Sequence, residues 1–214
     1  MLHINQIYIN GEFVTPHGSE LFDLFNPATE TVIGQVRLAD EEDTLRAIAA
    51  AKAAFPAWSQ TTREERIAVL ERMYLAVQAR EADLLEALIT EYGAPSARAH
   101  WMAAWPAQTI RCAIDALTQF SFEERVGRAK VVMMPVGVAG LITPWNSDAG
   151  FICNKLATAM ASGCTAVIKP SEMSAWQTQI VTEALHAAQI PAGVFNIVTG
   201  RGEVVGDTIN HHPD

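Results

Sequence analysis

The run Val136–Glu172, VGVAGLITPWNSDAGFICNKLATAMASGCTAVIKPSE, holds two short apolar strands separated by one helix-length segment. Residues 138–142 and 165–168 read as strands, and the segment between them predicts a helix over about 150–162. Further out, a helix over about 174–188, a strand over 194–198 and a helix over about 203–211 repeat the alternation. Strands joined by helices of this length need right-handed crossovers and lie parallel. The expected fold class is therefore α/β, a Rossmann-like parallel sheet with flanking helices.

Toward the N-terminus the texture differs. Gln6–Ile9 and Glu12–Val14 flank Asn10-Gly11, a type I′ turn signal, which predicts an N-terminal hairpin. Glu30–Val36 reads as extended after a turn at Asn26-Pro27. Asp40 with Asp43, and Thr62 with Glu65, mark helix starts. Ile67, Leu70, Tyr74 and Val77 trace one buried helix face, which Leu84, Leu85, Leu88 and Ile89 continue until Gly93 ends it. Trp101 and Trp105, four apart, are expected to pack as a core pair. Phe120 to Met134 reads as a hairpin that projects or lies at an edge. The chain thus divides into residues 1–118, a hairpin over 119–135, and a cofactor-domain segment over 136–214.

Half the residues are apolar and 18% are charged, the profile of a globular protein. A formal charge of −9, with 15 basic residues scattered among 24 acidic ones, argues against nucleic acid as a partner. Cys112, Cys153 and Cys164 are odd in number, widely spaced and set among apolar residues, so they read as reduced thiols of a cytoplasmic protein. No signal peptide and no membrane span are read from the sequence. His211-His212 reads as a solvated helix end, since adjacent helical positions do not share a face, and no metal is expected.

In an open parallel sheet, ligands collect at the carboxyl ends of the strands. Thr143-Pro144-Trp145-Asn146, Lys169-Pro170-Ser171-Glu172 and Gly200–Gly206 all fall there. The glycine run is one residue too long for the dinucleotide fingerprint, and no acid follows about twenty positions later. Glu172 can take that acid's place by accepting hydrogen bonds from both ribose hydroxyls, with Lys169 touching the same sugar. Arg201 reads as a solvated loop residue, with a phosphate contact as the alternative.

In order, GVAGLITPWN, Lys155, ASGCTAVIKPSE and PAGVFNIVTGRGEVVG resemble the cofactor-binding region of the aldehyde dehydrogenase superfamily. Tyr8–Phe13 and Phe25–Thr29 are similar to it too, so the likeness covers essentially the whole chain. The resemblance implies an oxidoreductase that converts an aldehyde to a carboxylic acid with NAD, and NADP less readily, as hydride acceptor. It implies Asn146 as the oxyanion-hole amide and Lys155 as a lysine near the active site. Ile142, Thr143, Pro144, Trp145, Lys169, Ser171, Glu172, Gly202, Glu203 and Gly206 would form the cofactor groove. It further implies that the hairpin over 119–135 serves oligomerisation, in a homodimer or homotetramer of the complete enzyme.

The chain also departs from the family pattern. Ser147-Asp148 stands where many relatives carry an aromatic residue and a proline, and Asp148 reads either as a helix N-cap or as a residue facing the substrate passage. Cys164 replaces a frequent asparagine and reads as packing. Neither the family's cysteine nucleophile nor its glutamate base is found in its usual context, so the chain is expected to be truncated, without the catalytic domain and inactive alone. The alternative function is a non-catalytic nucleotide-binding or subunit-interaction module. An unrelated nucleotide-binding transferase is disfavoured, because no phosphate-gripping Lys-Ser/Thr loop is present. A sheet broken off after its third strand is expected to expose an apolar edge.

Overall fold

The structure, a computed structural model, describes residues 1–214. The strands are β1 (Leu2–Ile4), β2 (Ile7–Ile9), β3 (Glu12–Val14), β4 (Leu21–Asn26) and β5 (Thr31–Arg37). Helices α1 (Glu41–Ser59), α2 (Arg63–Gln78), α3 (Glu81–Thr90) and α4 (Ser96–Gln119) follow. Then come β6 (Glu123–Val126), β7 (Ala129–Val132), β8 (Val138–Ile142), α5 (Asp148–Ser162) and β9 (Thr165–Lys169). A 3₁₀ turn (Glu172–Ser174), α6 (Ala175–Ala187), β10 (Phe195–Ile197), a π turn (Gly202–Gly206) and α7 (Asp207–His211) complete the order.

The main sheet runs β3-β2-β10-β9-β8. Strands β8, β9 and β10 are parallel as expected, and β2 joins β10 antiparallel. The third parallel strand is therefore interior, and the two edges of the sheet are β3 and β8. The N-terminal hairpin covers β10 because Asn196 is buried and tied to it. Asn196 Oδ1 accepts from the Asn10 amide at 2.8 Å, while its amide donates to the carbonyls of Ala166 and Gly193. Asn10 and Gly11 have φ of 53° and 85°, as a type I′ turn requires.

Strand β9 is buried on both faces. Val167 packs with Ala47, Ile48 and Val198 on the α1 side, whereas Ala166 and Ile168 pack with Ile152, Leu156 and Ile180 on the α5 and α6 side. This period of two, with helices on each face, gives the doubly wound layering. Helices α2, α3 and α4 stack outside α5 and α6 and extend the larger core. The second sheet, β1-β5-β4, packs Leu24, Val36 and Ile4 on Ala175 at the start of α6.

Both expected helix starts form, and each is a capping box, at Asp40 with Asp43 and at Thr62 with Glu65. The helical face from Ile67 to Ile89 is not continuous. It breaks between Gln78 and Glu81, where the Arg80 side chain pairs with Asp83 and with Glu183 of α6. Leu70, Val77, Leu84 and Leu88 are buried, but Ile89 is exposed. The tryptophan expectation is corrected in part: Trp101 stacks on Trp105 with centroids 5.7 Å apart but is 56% exposed, whereas Trp105 is half-buried against α5. Trp105 covers Gly150 of α5 so closely that a Cβ there would fall 2.1 Å from its ring. Strands β6 and β7 pair as a hairpin exposed along its whole length. No helix is long and apolar enough to cross a membrane.

Candidate functional site

Lys169, the last residue of β9, has a buried ammonium that donates to Glu172 Oε2 at 3.2 Å. Burial holds the lysine stem in place, so the charge sits at the strand end and does not sweep through solvent. Ser171 is buried and caps the 3₁₀ turn by accepting from the Met173 amide, which fixes the backbone that carries Glu172.

The Thr143 amide donates to the Lys169 carbonyl at 3.1 Å and extends the β8–β9 ladder to the site. Beyond it, Pro144, Trp145 and Asn146 are exposed, as is Ile142 at the end of β8. Trp145 leans on Tyr92, and its carbonyl accepts from Ser174 Oγ at 2.7 Å. Ser147 has φ of 118°, a strained left-handed conformation for a residue with a side chain, and it turns the chain into α5 directly after Asn146. About two helical turns on, the Lys155 ammonium donates to the Ile142 carbonyl at 2.6 Å and ties α5 to the end of β8.

Asp148 plays neither expected part. It is the first residue of α5, fully buried, and accepts from the hydroxyls of Thr143 and Thr178. Burial pushes its carboxyl up to about 7, against the pull of the two hydroxyls and the Lys169 charge. Glu91 is buried nearby and accepts from the amides of Trp176 and Gln177 at the start of α6. Its carboxyl is likewise pushed to about 7, first by burial and further by the Asp148 charge.

The third strand end contributes the π turn. Gly202 is exposed, and a Cβ there would meet nothing within 4 Å; at Gly206 it would meet only Ile142 Cδ1, at 3.9 Å. The backbone is therefore open to a ligand at Gly202 and backs onto the end of β8 at Gly206. Glu203 is exposed beside it. Arg201 is not a free loop residue. It donates to Glu20, lies over the Phe22 ring and approaches Glu172 Oε1 to 3.6 Å.

Ile142–Asn146, Lys169–Glu172 and Gly202–Gly206 thus meet at one end of the sheet, with Lys155 tied to the end of β8. The Thr143 hydroxyl and Ser171 Oγ are committed to internal bonds, so these two side chains shape the strand ends from within. Glu20, Glu91, Tyr92 and Thr178 also shape this site and carry no sequence signal, because each reaches it from a distant element. Cys153 is fully buried and its thiol is pushed far up by burial. Cys164 is buried as well, whereas Cys112 is exposed on α4, against the expectation that all three lie in apolar surroundings.

Comparison with known proteins gives this geometry a context. The chain is 36% identical over 216 residues to 3-succinoylsemialdehyde-pyridine dehydrogenase of a Pseudomonas species, covering 100% of this chain and 45% of that protein. A mutant of aldehyde dehydrogenase C from Pseudomonas syringae, solved with NAD+ and octanal, superposes with a TM-score of 0.94 at 37% identity, over 98% of this chain and 43% of that one. An NADP-dependent enzyme of E. coli superposes with a TM-score of 0.91 at 32% identity, over 98% and 45%. The chain spans about 45% of the length of the curated relatives it matches. The sequence profile of the aldehyde dehydrogenase family matches residues 13–214, and with the shared fold and the meeting of the three strand ends the chain belongs to that family.

Proposed function

We propose that the protein oxidises an aldehyde to a carboxylic acid with NAD as hydride acceptor, and that these 214 residues supply the adenosine side of the cofactor site and the oxyanion amide. The observation that carries this reading is the pair of buried Lys169 and half-buried Glu172 at the end of β9, at the same end of the sheet as the exposed Trp145 and the open backbone of Gly202. The residues fit a dinucleotide. A carboxylate accepts from two ribose hydroxyls, an ammonium adds a donor, and a glycine with no neighbour lets a phosphate approach the chain.

When bound, NAD supplies the hydride acceptor. Glu172 and Lys169 hold the ribose, and Ile142, Pro144 and Trp145 give the groove its apolar wall. Thr143, Ser171, Gly202, Glu203 and Gly206 contribute main-chain groups and shape. The Asn146 amide donates to the aldehyde oxygen as negative charge grows on it, and the strained Ser147 and the Lys155 tether keep that amide at the mouth of the site. Glu172 opposes the 2′-phosphate of NADP by like charge, which favours NAD. The exposed β6–β7 hairpin suits the contact of a homodimer or homotetramer. The other reading, a non-catalytic nucleotide-binding module, is favoured by the cysteines, since Cys153 and Cys164 are buried and Cys112 lies on α4, outside the cleft.

Binding and turnover separate the two readings. NAD titrated into the protein is expected to quench indole fluorescence through Trp145, and Lys169→Ala to weaken binding about 10-fold or more. Absence of NAD binding would remove the cofactor assignment. Aldehyde-dependent NADH formation by a polypeptide of these 214 residues would overturn the view that its cysteines are not nucleophiles.

A further inference from the structure

We propose that Glu20, acting through Arg201, sets the discrimination between NAD and NADP; this rests on the reading of Lys169 and Glu172 as the ribose anchor. Arg201 Nε and Nη2 both donate to Glu20 Oε1, at 3.0 and 2.7 Å. Its Nη1 lies 3.6 Å from Glu172 Oε1, and the guanidinium sits 4.9 Å above the Phe22 ring. One edge of the planar group is thus held by Glu20, one face by the ring, and the other edge points at the carboxylate assigned to the ribose. A guanidinium so restrained has lost most of its rotamer freedom, which favours a defined electrostatic role over a wandering surface charge.

Charge balance gives the direction. Glu172 is flanked by two cations, Lys169 on Oε2 and Arg201 on Oε1. Glu20 offsets Arg201, so two carboxylates face two cations and no positive charge is left over, with exposed Glu203 adding a further negative charge near Arg201. A ribose diol needs no spare cation, whereas a 2′-phosphate does. Arg201 is the kind of group that grips a phosphate with a two-pronged bond, and it stands where one attached to a ribose on Glu172 would arrive. Glu20 occupies that grip. Neutralising Glu20 releases the fork and leaves one positive charge unmatched beside the 2′ position.

The test is equilibrium binding of NAD, NADP and 2′,5′-ADP by calorimetry, without turnover, to the native protein and to Glu20→Gln, Glu20→Asp, Arg201→Ala and the double variant Glu20→Gln/Arg201→Ala. The Arg201–Glu20 pair is partly exposed, so a moderate effect is expected: the ratio of NADP to NAD dissociation constants falls about 5- to 10-fold in Glu20→Gln, and 2′,5′-ADP tightens in parallel. Glu20→Asp keeps the native ratio. The gain vanishes in the double variant, which a general loosening of the fold would not produce, because loosening weakens both cofactors alike. An unchanged ratio in Glu20→Gln, or a gain that survives loss of Arg201, overturns the proposal. If the native protein binds NAD and Lys169→Ala weakens it while the ratio stays fixed, this inference alone fails. If NAD does not bind at all, the ribose anchor fails with it.

Discussion

The Thr178 hydroxyl lies 3.0 Å from Asp148 Oδ2 and 3.0 Å from the carbonyl of Ser174. A hydroxyl has one proton, so Thr178 shares it between the two acceptors in a three-centre bond. This links α6 to the first turn of α5 under the Trp145–Asn146 loop. Thr178→Val keeps the shape and removes the link, and it is expected to lower stability by about 1–3 kcal/mol in urea unfolding. Thr178→Ser should restore most of it, and equal midpoints for the native protein and the valine variant would rule the link out.

The two buried acids impose a pH dependence. Asp148 rises from its ordinary 3.8 to about 7, and Glu91 from 4.5 to about 7. Raised acids hold their protons in the folded chain and lose them in the unfolded one, so the folded form binds more protons between about pH 4 and 7. Their stabilising share is full at the acid end of that window and is lost as pH rises through it. Each group contributes a slope of at most about 1.4 kcal/mol per pH unit. Asp148→Asn, which resembles the protonated acid, should flatten the fall measured between about pH 5 and 7. Parallel curves for the variant and the native protein would contradict the assignment.

Asn146 and Lys169 should separate kinetically. Asn146→Ala is expected to depress aldehyde turnover by about 10²–10³ and leave NAD affinity nearly unchanged, because the amide acts on charge that develops in the transition state. Lys169→Ala should do the opposite. Loss of NAD binding in the Asn146 variant would place that amide in the cofactor groove instead.

Gly150 offers a sign reversal. A Cβ there collides with the Trp105 ring, so Gly150→Ala is expected to destabilise the protein by about 1–3 kcal/mol. With Trp105→Ala as background the collision is gone, and the same change should stabilise α5 by up to about 1 kcal/mol through helix propensity. Thermal unfolding of the four proteins measures both signs, and a change of the same sign in both backgrounds would refute the contact.

Features decided within a few residues were legible in the sequence. The Asn10-Gly11 turn, the two helix starts and the alternation of strands and helices after Val136 follow from local chemistry, and the site's strand ends follow from the alternation. What was not legible depends on distant partners. Asp148 looked like a cap because Thr178 is 30 positions away, and Arg201 looked solvated because Glu20 is 181 positions away. Trp101 and Trp105 share a helical stripe, but α4 sets it at the margin of the α5 contact, with Trp105 covered and Trp101 exposed, which periodicity alone does not reveal. The break at Ala79 carries no glycine or proline to announce it.

The bond between Asn10 and Asn196 spans 186 positions and joins the first hairpin of the chain to the last strand of the sheet. During synthesis the hairpin therefore leaves the ribosome long before its docking strand exists. At roughly 5–20 residues per second it waits on the order of 10–40 s with the apolar Ile7, Tyr8 and Ile9 paired only to β3 and not yet covered by β10. A strand made early is thus buried late, and a nascent chain of this protein has a window in which that hairpin is available to holding chaperones or to a neighbouring nascent copy.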